Sequence, residues 1–506
     1  MASNSARKGS PLRRLAITPV RVAGAGLLAV AFAMIVSAAV AVIDGGGAAA
    51  GLTAAALITT SVGCALFFGS QVSPSTDPAL AFASVAWSWL AVSLAGALPF
   101  LLTGVVSWAH FDDAIFESVS GFTCTGSTIL SDFDSVPQGL LFYRSMTQWL
   151  GGMGLVVLAV AVLPALGIGG LDLIASEAPG PTADRLSLRV RDTARRLWLL
   201  YGAVTCIVAT LLFLVGMSVF DAVTHAFTTI ATGGYSPRAE SIAHFDSVAI
   251  ELVIIAGMLY AGANFSVHWH ALSQGIGAYR RVSEIRWYLS LIAGAFGLLL
   301  WVNNGELELF RNLRESLFYA VSLGSNTGFG SSNYVLWMPA AHLTLLILML
   351  VGGMSGSTAG GMKVLRLQVI FRYSFRELMR ARHPNAVIPI RLGRTTIEEQ
   401  IASKVVGFVL LYLGLIVAGG VVLSGLGVDP VTAFSGSVSA LGNVGPALGE
   451  AGPTSNFLVF PRAGRLVLMA MMALGRLELF PAMLMLVASL RGLNRMQRQR
   501  EGTKSP

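Results

Sequence analysis

The sequence has few charged residues and few cysteines. Asp, Glu, Lys and Arg make up 12% of the 506 residues, against about 25% in a typical soluble domain. So few charges could not cover the surface of a soluble protein of this length, and hydrophobic residues make up 54%. Cys64, Cys124 and Cys206 lie far apart and give no disulfide or zinc signal. The composition therefore favours an integral membrane protein.

Long apolar runs are abundant in the chain. A helix needs about 20 apolar residues to cross a bilayer. The first run follows a basic arm, but it is too long for a signal peptide and lacks a clear cleavage site, so we interpret it as a retained helix. Ten spans are predicted, at roughly 22–43, 48–69, 79–103, 140–166, 197–218, 247–268, 287–303, 341–362, 401–425 and 466–490.

The basic residues predict the orientation of these spans. Cytoplasmic loops are rich in Lys and Arg, and most of the 34 basic residues fall in loops that an even number of spans places on one side. Both termini are therefore expected in the cytoplasm. Topology accounts for the net charge of +8, so no nucleic-acid partner is expected. The basic segments are the N-terminal arm, 185–196, 280–286, 363–404 and the C-terminal tail.

Four shorter semi-polar segments lie between spans, each too short to cross a bilayer. They align without gaps on one glycine each, which follows a short helical pattern. Glycine permits backbone angles that aim successive carbonyls at one axis, and the negative end of a helix dipole favours a cation. Non-helical backbone inside a membrane must line protein or water. We therefore expect four loops around one cation pore. The segments are 111–130, 220–236, 314–330 and 429–446, and the glycines are Gly126, Gly233, Gly328 and Gly445.

Two further features interrupt the spans. Residues 351–363 contain five glycines and three hydroxyl residues, which indicates broken backbone facing a cavity, interpreted as a mobile plug. Close helix packing through small residues is the alternative. Arg476 lies inside the last span, as a barrier to cations in the pore or as half of a structural ion pair. Asn264 and His268 are interpreted as polar contacts between helices.

These residues give the chain a resemblance to the Trk/Ktr/HKT superfamily of potassium transporters, specifically to the bacterial TrkH type. The resemblance covers residues 79 to about 490, and the two preceding spans look like the extra pair that separates TrkH from KtrB. It is carried by the fourfold pattern and by Gly-Ser-Thr-Ala-Gly-Gly-Met-Lys (356–363), Thr-Ile-Ala-Thr-Gly-Gly-Tyr-Ser (229–236) and Leu-Gly-Arg-Leu-Glu (474–478).

The resemblance implies a potassium filter, an intramembrane gating loop at 352–361 and a basic residue beside that loop. Plant relatives with Ser at the first filter glycine favour Na⁺, so Gly126 favours K⁺. The implied filter residues are Thr123, Cys124, Thr125, Gly126, Ile230, Ala231, Thr232, Gly233, Ser325, Asn326, Thr327, Gly328, Gly442, Asn443, Val444 and Gly445. The implied gating residues are Gly352, Gly353, Ser355, Gly356, Ser357, Thr358, Gly360, Gly361 and Arg476. Asn326, Asn443 and Met354 depart from the commoner family residues.

The resemblance also implies the transported ion, the partners and the cellular location of the protein. K⁺ is the expected transported ion, with Rb⁺ and Na⁺ as further candidates, and no cofactor is expected in this chain. The expected partners are a second copy in a homodimer, membrane lipid and a cytosolic nucleotide-binding RCK subunit of the TrkA type. The expected location is the bacterial inner membrane, with both termini in the cytoplasm.

The predicted fold is an all-α integral membrane protein with four tandem helix–pore loop–helix repeats around one pore, preceded by two extra transmembrane helices. The predicted divisions are a basic arm (1–21), a two-helix region (22–78), pore repeat 1 (79–168), a cytoplasmic loop (169–196), repeat 2 (197–270), repeat 3 with the gating loop (271–362), a second loop (363–400), repeat 4 (401–490) and a tail (491–506).

The sequence also bears on three alternatives to a simple cation pore. A secondary transporter with inverted repeats would alternate their orientation, whereas a step of two spans between successive repeats keeps all four in one orientation. An enzyme is not expected, because no HExxH, G-x-S-x-G or cofactor fingerprint occurs. A Na⁺/K⁺ or H⁺-coupled cation symporter of the same fold remains open.

Overall fold

A computed structural model of the chain describes residues 11–45, 47–69, 78–161, 183–386, 388–393 and 395–477. The predictions for residues 1–10, for the first half of the loop 169–196, for the ends of the spans 140–166 and 466–490 and for the tail lie outside the described residues. The helices are α1 (Pro11–Ile43), α2 (Ala48–Gly69), α3 (Pro78–Gly96), α4 (Leu98–Leu102), α5 (Phe111–Phe122), α6 (Gln138–Ala161), α7 (Ala183–Leu214), α8 (Val219–Ile230), α9 (Val248–Ala261), α10 (Phe265–Gln274), α11 (Gly277–Arg281), α12 (Ser283–Val302), α13 (Leu309–Gly324), α14 (Pro339–Val351), α15 (Val364–Arg382), α16 (Glu399–Gly425), α17 (Pro430–Gly442) and α18 (Arg462–Leu477).

Four units of the same design follow one another along the chain. Each has a first long helix, a short helix that ends near the centre, an extended segment and a second helix. The short helices α5 and α17 lie inside the predicted semi-polar segments, whereas α8 and α13 begin before them, at Val219 and Leu309. The predicted fold class is confirmed. The units are α3–α5–α6, α7–α8–α9, α12–α13–α14 and α16–α17–α18.

The four units close into a ring. Within each unit the first helix packs on its own short helix, as α7 packs on α8. The second helix packs on the short helix of the next unit, so that α6 contacts α8, α9 contacts α13 and α14 contacts α17. The ring closes because α18 of the last unit packs on α5 of the first. The short helices therefore converge on a common centre with second helices wedged between them.

The two N-terminal helices pack on the outside of the first unit. α1 contacts α2, α3 and α6. Small residues let the backbones approach closely, as in other membrane helix pairs. A Cβ on Gly24 would lie 2.7 Å from the Phe67 backbone nitrogen, and one on Gly51 would lie 2.6 Å from the Leu102 carbonyl oxygen. This contact attaches the predicted two-helix region to the first repeat.

Two predicted spans are shorter helices than the sequence suggested. The predicted span 247–268 is two helices, α9 and α10, bent by 95° at the break between them. The predicted span 341–362 ends as a helix at Val351 after 13 residues, at the glycine-rich interruption. Among the described residues, five helices are long and apolar enough to cross a membrane, or six if the bent pair counts as one. At the second break Gly352 has φ +71°, a conformation that favours glycine, whereas at the first break Gly262 keeps helical angles and Asn264 caps the helix that follows.

The predicted cytoplasmic loop 363–400 has structure that the sequence interpretation missed. It contains α15 and an antiparallel hairpin of β1 (Ile390–Leu392) and β2 (Thr395–Ile397), with Ile390 opposite Ile397. Ile390, Leu392 and Ile397 are buried against Val369 of α15 in a small apolar cluster. Gly393 has φ +62° in the hairpin turn, a conformation that suits glycine. The hairpin is an addition to the all-α fold, outside the four units.

Candidate ion-conduction pathway

All four short helices end in the same backbone conformation. The second residue after the end of α5, α8 and α13 has a left-handed backbone conformation, with positive φ. After α17, the first residue has the same conformation. A residue without the freedom of glycine is uncommon at positive φ, so its fourfold recurrence indicates a shared local structure. These residues are Cys124 (φ +53°), Thr232 (φ +51°), Asn326 (φ +53°) and Asn443 (φ +53°).

Backbone hydrogen bonds close each helix end in the Schellman pattern, in which the amide after the left-handed residue bonds a carbonyl five residues back. The four bonds have nearly equal lengths. They run from Thr125 N to Ser120 O (2.9 Å), Gly233 N to Thr228 O (2.9 Å), Thr327 N to Ser322 O (2.8 Å) and Val444 N to Ser439 O (3.0 Å). Thr125, Gly233, Thr327 and Val444 are therefore equivalent positions.

This equivalence corrects the predicted alignment of the second segment by one residue. The residue after Gly233 is Gly234, which has φ +72° like Gly126 (+87°), Gly328 (+79°) and Gly445 (+107°). Gly233 occupies the position before the key glycine, and Ile230 is still the last residue of α8. The structural equivalents of Thr123–Gly126 are thus residues 231–234. The predicted alignments of the first, third and fourth segments agree with this geometry.

The four glycines interlock the segments. A Cβ on Gly126 would lie 2.3 Å from the Gly233 carbonyl oxygen, and one on Gly234 would lie 2.0 Å from the Thr327 oxygen. A Cβ on Gly328 would lie 1.8 Å from the Val444 oxygen, and one on Gly445 would lie 2.7 Å from the Thr125 oxygen. Each glycine therefore contacts the carbonyl that precedes the glycine of the next unit. We call these four glycines and the residue before each the glycine ring.

The left-handed residues anchor the ring to the surrounding helices through their side chains. Asn326 donates to the Met349 and Gly442 carbonyls at 3.1 and 2.7 Å. Asn443 donates to the Met472 carbonyl at 2.9 Å. The asparagines that depart from the commoner family residues thus bind neighbouring elements. The other two contacts run from Cys124 Sγ to the Gln148 carbonyl (3.2 Å) and from Thr232 Oγ1 to Thr358 Oγ1 (3.2 Å).

A polar cavity of about 120 Å³ lies on one side of the ring, and its lining includes Gly126, Gly234, Gly328 and Gly445. Gln148 braces the second segment beside it, donating to the Gly233 carbonyl at 2.6 Å and accepting from the Tyr235 amide at 3.0 Å. The sequence interpretation missed Gln148. The sequence feature that could have identified Gln148 is an uncharged polar side chain inside the predicted span 140–166.

Carboxylates at the outer ends of the short helices pair with arginines. Arg465 NH2 lies 2.8 Å from Asp113, and Arg238 NH2 lies 2.8 Å from Asp221. Glu117 is buried and pairs with Arg144 at 2.5 Å. Burial raises the pKa of Asp221, but hydrogen bonds from Arg238 and Ser218 outweigh it, so this pKa lies below its ordinary value of 3.8. These pairs brace the ring at its rim.

The glycine-rich loop 352–363 lies on the opposite side of the ring from the cavity. It pairs with the break between α9 and α10, where the Met354 amide donates to Gly262 O at 2.8 Å and the Phe265 amide donates to Gly356 O at 3.1 Å. Asn264 caps α10 and donates its side-chain amide to Ser355 O at 2.7 Å. The loop is therefore latched to the second unit.

The same loop also touches the short-helix ends and α12. The Gly361 amide donates to Gly442 O at 2.9 Å. Thr358 Oγ1 donates to Ile230 O at 3.0 Å. Glu284 is buried and accepts from the Ser355 amide at 2.7 Å. The chain thus leaves α14, crosses beneath the ring and continues into α15. This arrangement favours a covering loop over close packing of a continuous helix.

Arg476 is 1% exposed and links the loop to the first segment. Its guanidinium donates to Thr358 O at 2.9 Å, to Gly151 O at 3.1 Å and to Cys124 Sγ at 3.1 Å. It forms no ion pair with any residue in the described ranges, and Glu478 lies outside them. Next to it is a cavity of about 10 Å³, lined partly by Lys363 and Arg476, which is about the space of one water molecule.

His268 has a local structural role. Its ring stacks on Tyr260 with centroids 3.7 Å apart. Its nitrogens bond the Tyr279 hydroxyl at 2.8 Å and the Tyr260 carbonyl at 2.9 Å. These contacts brace the bend between α9 and α10, in agreement with the predicted polar contact between helices. Asn264 bonds the loop itself, which the sequence interpretation did not predict.

The four-unit ring with its central glycine segments defines a multi-pass membrane protein of the pore-loop transporter class. Comparison with known families agrees with this class. The chain matches the TrkH family, described as a cation transport protein, over residues 52–296 and 305–491. The chain therefore belongs to the TrkH family, which confirms the predicted resemblance and the expectation of a transporter instead of an enzyme.

Individual relatives match most of the chain. It is 40% identical over 404 residues to the Trk system potassium uptake protein TrkH of Halomonas elongata, covering 79% of this chain and 83% of that protein. It is 36% identical over 463 residues to TrkH of Escherichia coli K12, covering 90% and 95%. The crystal structure of the potassium transporter TrkH from Vibrio parahaemolyticus matches with a TM-score of 0.84 and 32% identity, covering 94% and 98%.

Proposed function

We propose that this chain takes up K⁺ across the bacterial inner membrane through the glycine ring. The interlocked ring of four segments carries the proposal. Carbonyls around such an axis can replace the hydration shell of K⁺, and four converging helix C-termini place partial negative charge near the ion. The names of the relatives, potassium uptake proteins, support the choice of ion.

The filter in this proposal comprises the predicted segments, with the second taken as Ala231, Thr232, Gly233 and Gly234. The cavity of about 120 Å³ is the entrance for the ion. The acidic residues at the rim are paired with arginines, so entry depends on the ring carbonyls more than on a ring of free carboxylates.

The loop 352–363 is the gate of this pathway. It covers the side of the ring away from the entrance, and Arg476 and Lys363 beside the small cavity place positive charge on the exit route. A fixed cation in a pore is an electrostatic barrier to other cations. The latched loop is therefore the closed conformation, and K⁺ passes after the loop moves.

The family resemblance extends the proposal to assembly and control. A homodimer with one pore per chain, and a cytosolic nucleotide-binding RCK subunit that moves the gate, fit a loop that continues directly into α15 and the hairpin. The basic segments 280–286 and 363–404 belong to the cytoplasmic side in this orientation.

Ion flux into liposomes that hold the purified protein tests the proposal. K⁺ and Rb⁺ uptake well above Na⁺ and Cs⁺, driven by membrane potential, is the expected result. Equal Na⁺ and K⁺ flux would keep the fold and refute the selectivity. A dependence of K⁺ flux on a Na⁺ or H⁺ gradient would favour the coupled symporter instead.

A variant at the first glycine assigns that selectivity to the ring. Gly126→Ser adds a side chain where a Cβ would lie 2.3 Å from Gly233 O. We expect the K⁺:Na⁺ permeability ratio to fall about tenfold, equivalent to about 1.4 kcal/mol. Gly414→Ser is the matched control, because nothing lies within 4 Å of a Cβ there. An unchanged ratio in Gly126→Ser would remove Gly126 from the filter.

A further inference from the structure

The segment from α10 to α11 runs between the inner ends of two spans. Phe265 packs on Tyr201 with ring centroids 5.8 Å apart, and Arg196 lies 5.7 Å over the Trp269 ring, near the basic start of the span in α7. At its other end α11 leads directly into Ser283, where the span in α12 begins. The bend of 95° turns α10 away from the direction of α9. From the break beside the loop, α10 therefore runs across the direction of α9 towards the start of α12, where Arg280 and Arg281 lie in one of the basic segments assigned to the cytoplasmic side.

The outward surface of this segment combines apolar and basic side chains. Leu272 is 71% exposed and Ile276 is 79% exposed. Arg280 and Arg281 follow and are also exposed, and neither forms an ion pair with a residue in the described part of the chain. At a bilayer surface, exposed apolar side chains can pack among the acyl chains. Arginines beside them can bind the phosphate of an anionic headgroup.

The segment is also joined to the intramembrane loop at its first residues. Phe265 and Asn264 supply two of the hydrogen bonds that latch the loop, to Gly356 O and Ser355 O. Gly262 packs closely against Tyr288: a Cβ at residue 262 would lie 2.3 Å from the Tyr288 hydroxyl oxygen. A displacement of α10 therefore reaches the loop through Gly262, Asn264 and Phe265. We call residues 265–281 the interfacial strap.

We propose that the interfacial strap binds the headgroups of anionic lipids in the inner leaflet and that this binding holds the loop 352–363 in its latched position. The regulatory half rests on the proposed function, and the binding half does not. Anionic headgroups fix Arg280 and Arg281 at the surface, while the bilayer receives Leu272 and Ile276. The fixed strap keeps Asn264 and Phe265 in bonding distance of the loop.

Binding is tested on the purified full chain in detergent by native mass spectrometry with phosphatidylglycerol and phosphatidylcholine. Wild type is expected to bind phosphatidylglycerol more tightly. The double variant Arg280→Gln and Arg281→Gln is expected to lose roughly tenfold to thirtyfold of that affinity. Arg382→Gln with Arg391→Gln removes two other exposed arginines and should leave binding unchanged. Equal phosphatidylglycerol binding by wild type and the strap variant would overturn the proposal.

Regulation is tested by K⁺ flux in vesicles of phosphatidylcholine and of phosphatidylcholine mixed with phosphatidylglycerol. Wild type should conduct several-fold less in the anionic vesicles, and the strap variant should conduct equally in both. Asn264→Ala should keep phosphatidylglycerol binding and lose the lipid dependence. A lipid dependence that survives in the strap variant would refute the coupling. The K⁺:Na⁺ ratio of wild type reports the proposed function separately.

A cytosolic protein is the competing occupant of the strap. If Arg280→Gln with Arg281→Gln abolishes binding of a purified cytosolic subunit but leaves phosphatidylglycerol binding intact, the surface belongs to that protein and the lipid proposal is refuted. Arg280→Lys with Arg281→Lys keeps both charges and is expected to restore phosphatidylglycerol binding.

Discussion

The glycine ring and the loop 352–363 are both non-helical backbone enclosed by helices, but they are held in different ways. Each ring segment contacts the segments before and after it, through a glycine on one side and a carbonyl on the other. The loop occurs in one unit and covers the ring from one side. Displacing a ring segment would therefore break its contacts with both neighbouring segments, whereas displacing the loop would break no contact between ring segments.

Under the proposed function, this difference assigns the fixed role to the ring and the moving role to the loop. The ring segments are closed by backbone bonds of the same pattern, repeated four times. The loop is held by single backbone bonds of no repeated pattern. It is also held by side chains from its own unit (Glu284) and from two other units (Asn264 and Arg476). Buried backbone groups need partners, so a loop that leaves must find water or protein elsewhere.

The largest effect is expected from a methyl group placed in the ring. Gly328→Ala puts a Cβ 1.8 Å from Val444 O at φ +79°. Positive φ and overpacking each cost about 1–3 kcal/mol, so the K⁺:Na⁺ ratio and the melting temperature should both fall sharply. Flux assays and thermal unfolding measure the two.

The control for this substitution is Gly297→Ala in α12, where nothing lies within 4 Å of a Cβ. It should change neither property. If Gly328→Ala has the same melting temperature and K⁺:Na⁺ ratio as Gly297→Ala, the third and fourth segments are not in close contact. The claim that the ring is rigid would then be refuted.

A smaller effect is expected from loosening the latch. Asn264→Ala removes the donor to Ser355 O and the cap of α10. A loss of about 1–2 kcal/mol from the closed conformation corresponds to a rise of roughly fivefold to thirtyfold in basal K⁺ flux. The K⁺:Na⁺ ratio should stay constant, because the ring is untouched.

Asn312→Ala is the matched control for the latch, since the Asn312 side chain also donates to a backbone carbonyl, Leu300 O at 3.1 Å, without touching the loop. Deletion of part of residues 353–360 should raise basal flux further. A folded deletion that conducts no better than the parent protein would argue against a gate.

The sequence predicted the four-unit architecture because its signals are local. Span length, short helical patterns and a glycine after each are all visible along the chain. The register of the second segment was not predictable in this way, because Gly233 and Gly234 are adjacent and either fits a one-glycine alignment. Only the Schellman bond from Gly233 to Thr228 O and the contact of Gly234 with Thr327 O decide between them.

The partners of the loop and of Arg476 depend on contacts between distant parts of the chain. The sequence located a broken span at 351–363 and a charge at Arg476, but Gly262, Glu284 and Cys124 gave no signal that they would meet them. The bend after Ala261 was missed because Gly-Ala-Asn inside an apolar run is compatible with a continuous membrane helix. Tertiary hydrogen bonds to the loop decide that conformation.

The smallest effect is expected at the rim of the ring. The pKa of Asp221 is lowered in the folded protein, so its pair with Arg238 adds stability above the ordinary value of 3.8 and loses it as the pH falls through the folded pKa. Arg238→Gln removes the hydrogen bonds that offset burial, and stability should then decline at a higher pH than in wild type. The loss at neutral pH is at most about 1 kcal/mol, because Arg238 is partly exposed.

Thermal unfolding across the acid range measures this shift, with Arg382→Gln as a control of equal charge change at an exposed site. Basal K⁺ flux at neutral pH should not change, because Arg238 belongs to the bracing of the ring and the loop is latched elsewhere. A raised basal flux in Arg238→Gln would mean that the rim restrains the gate, and the separation between a fixed ring and a movable loop would then be refuted. A pH profile parallel to wild type would instead show that Asp221 is stabilised by its other contacts, including the Ser218 hydroxyl at 2.8 Å.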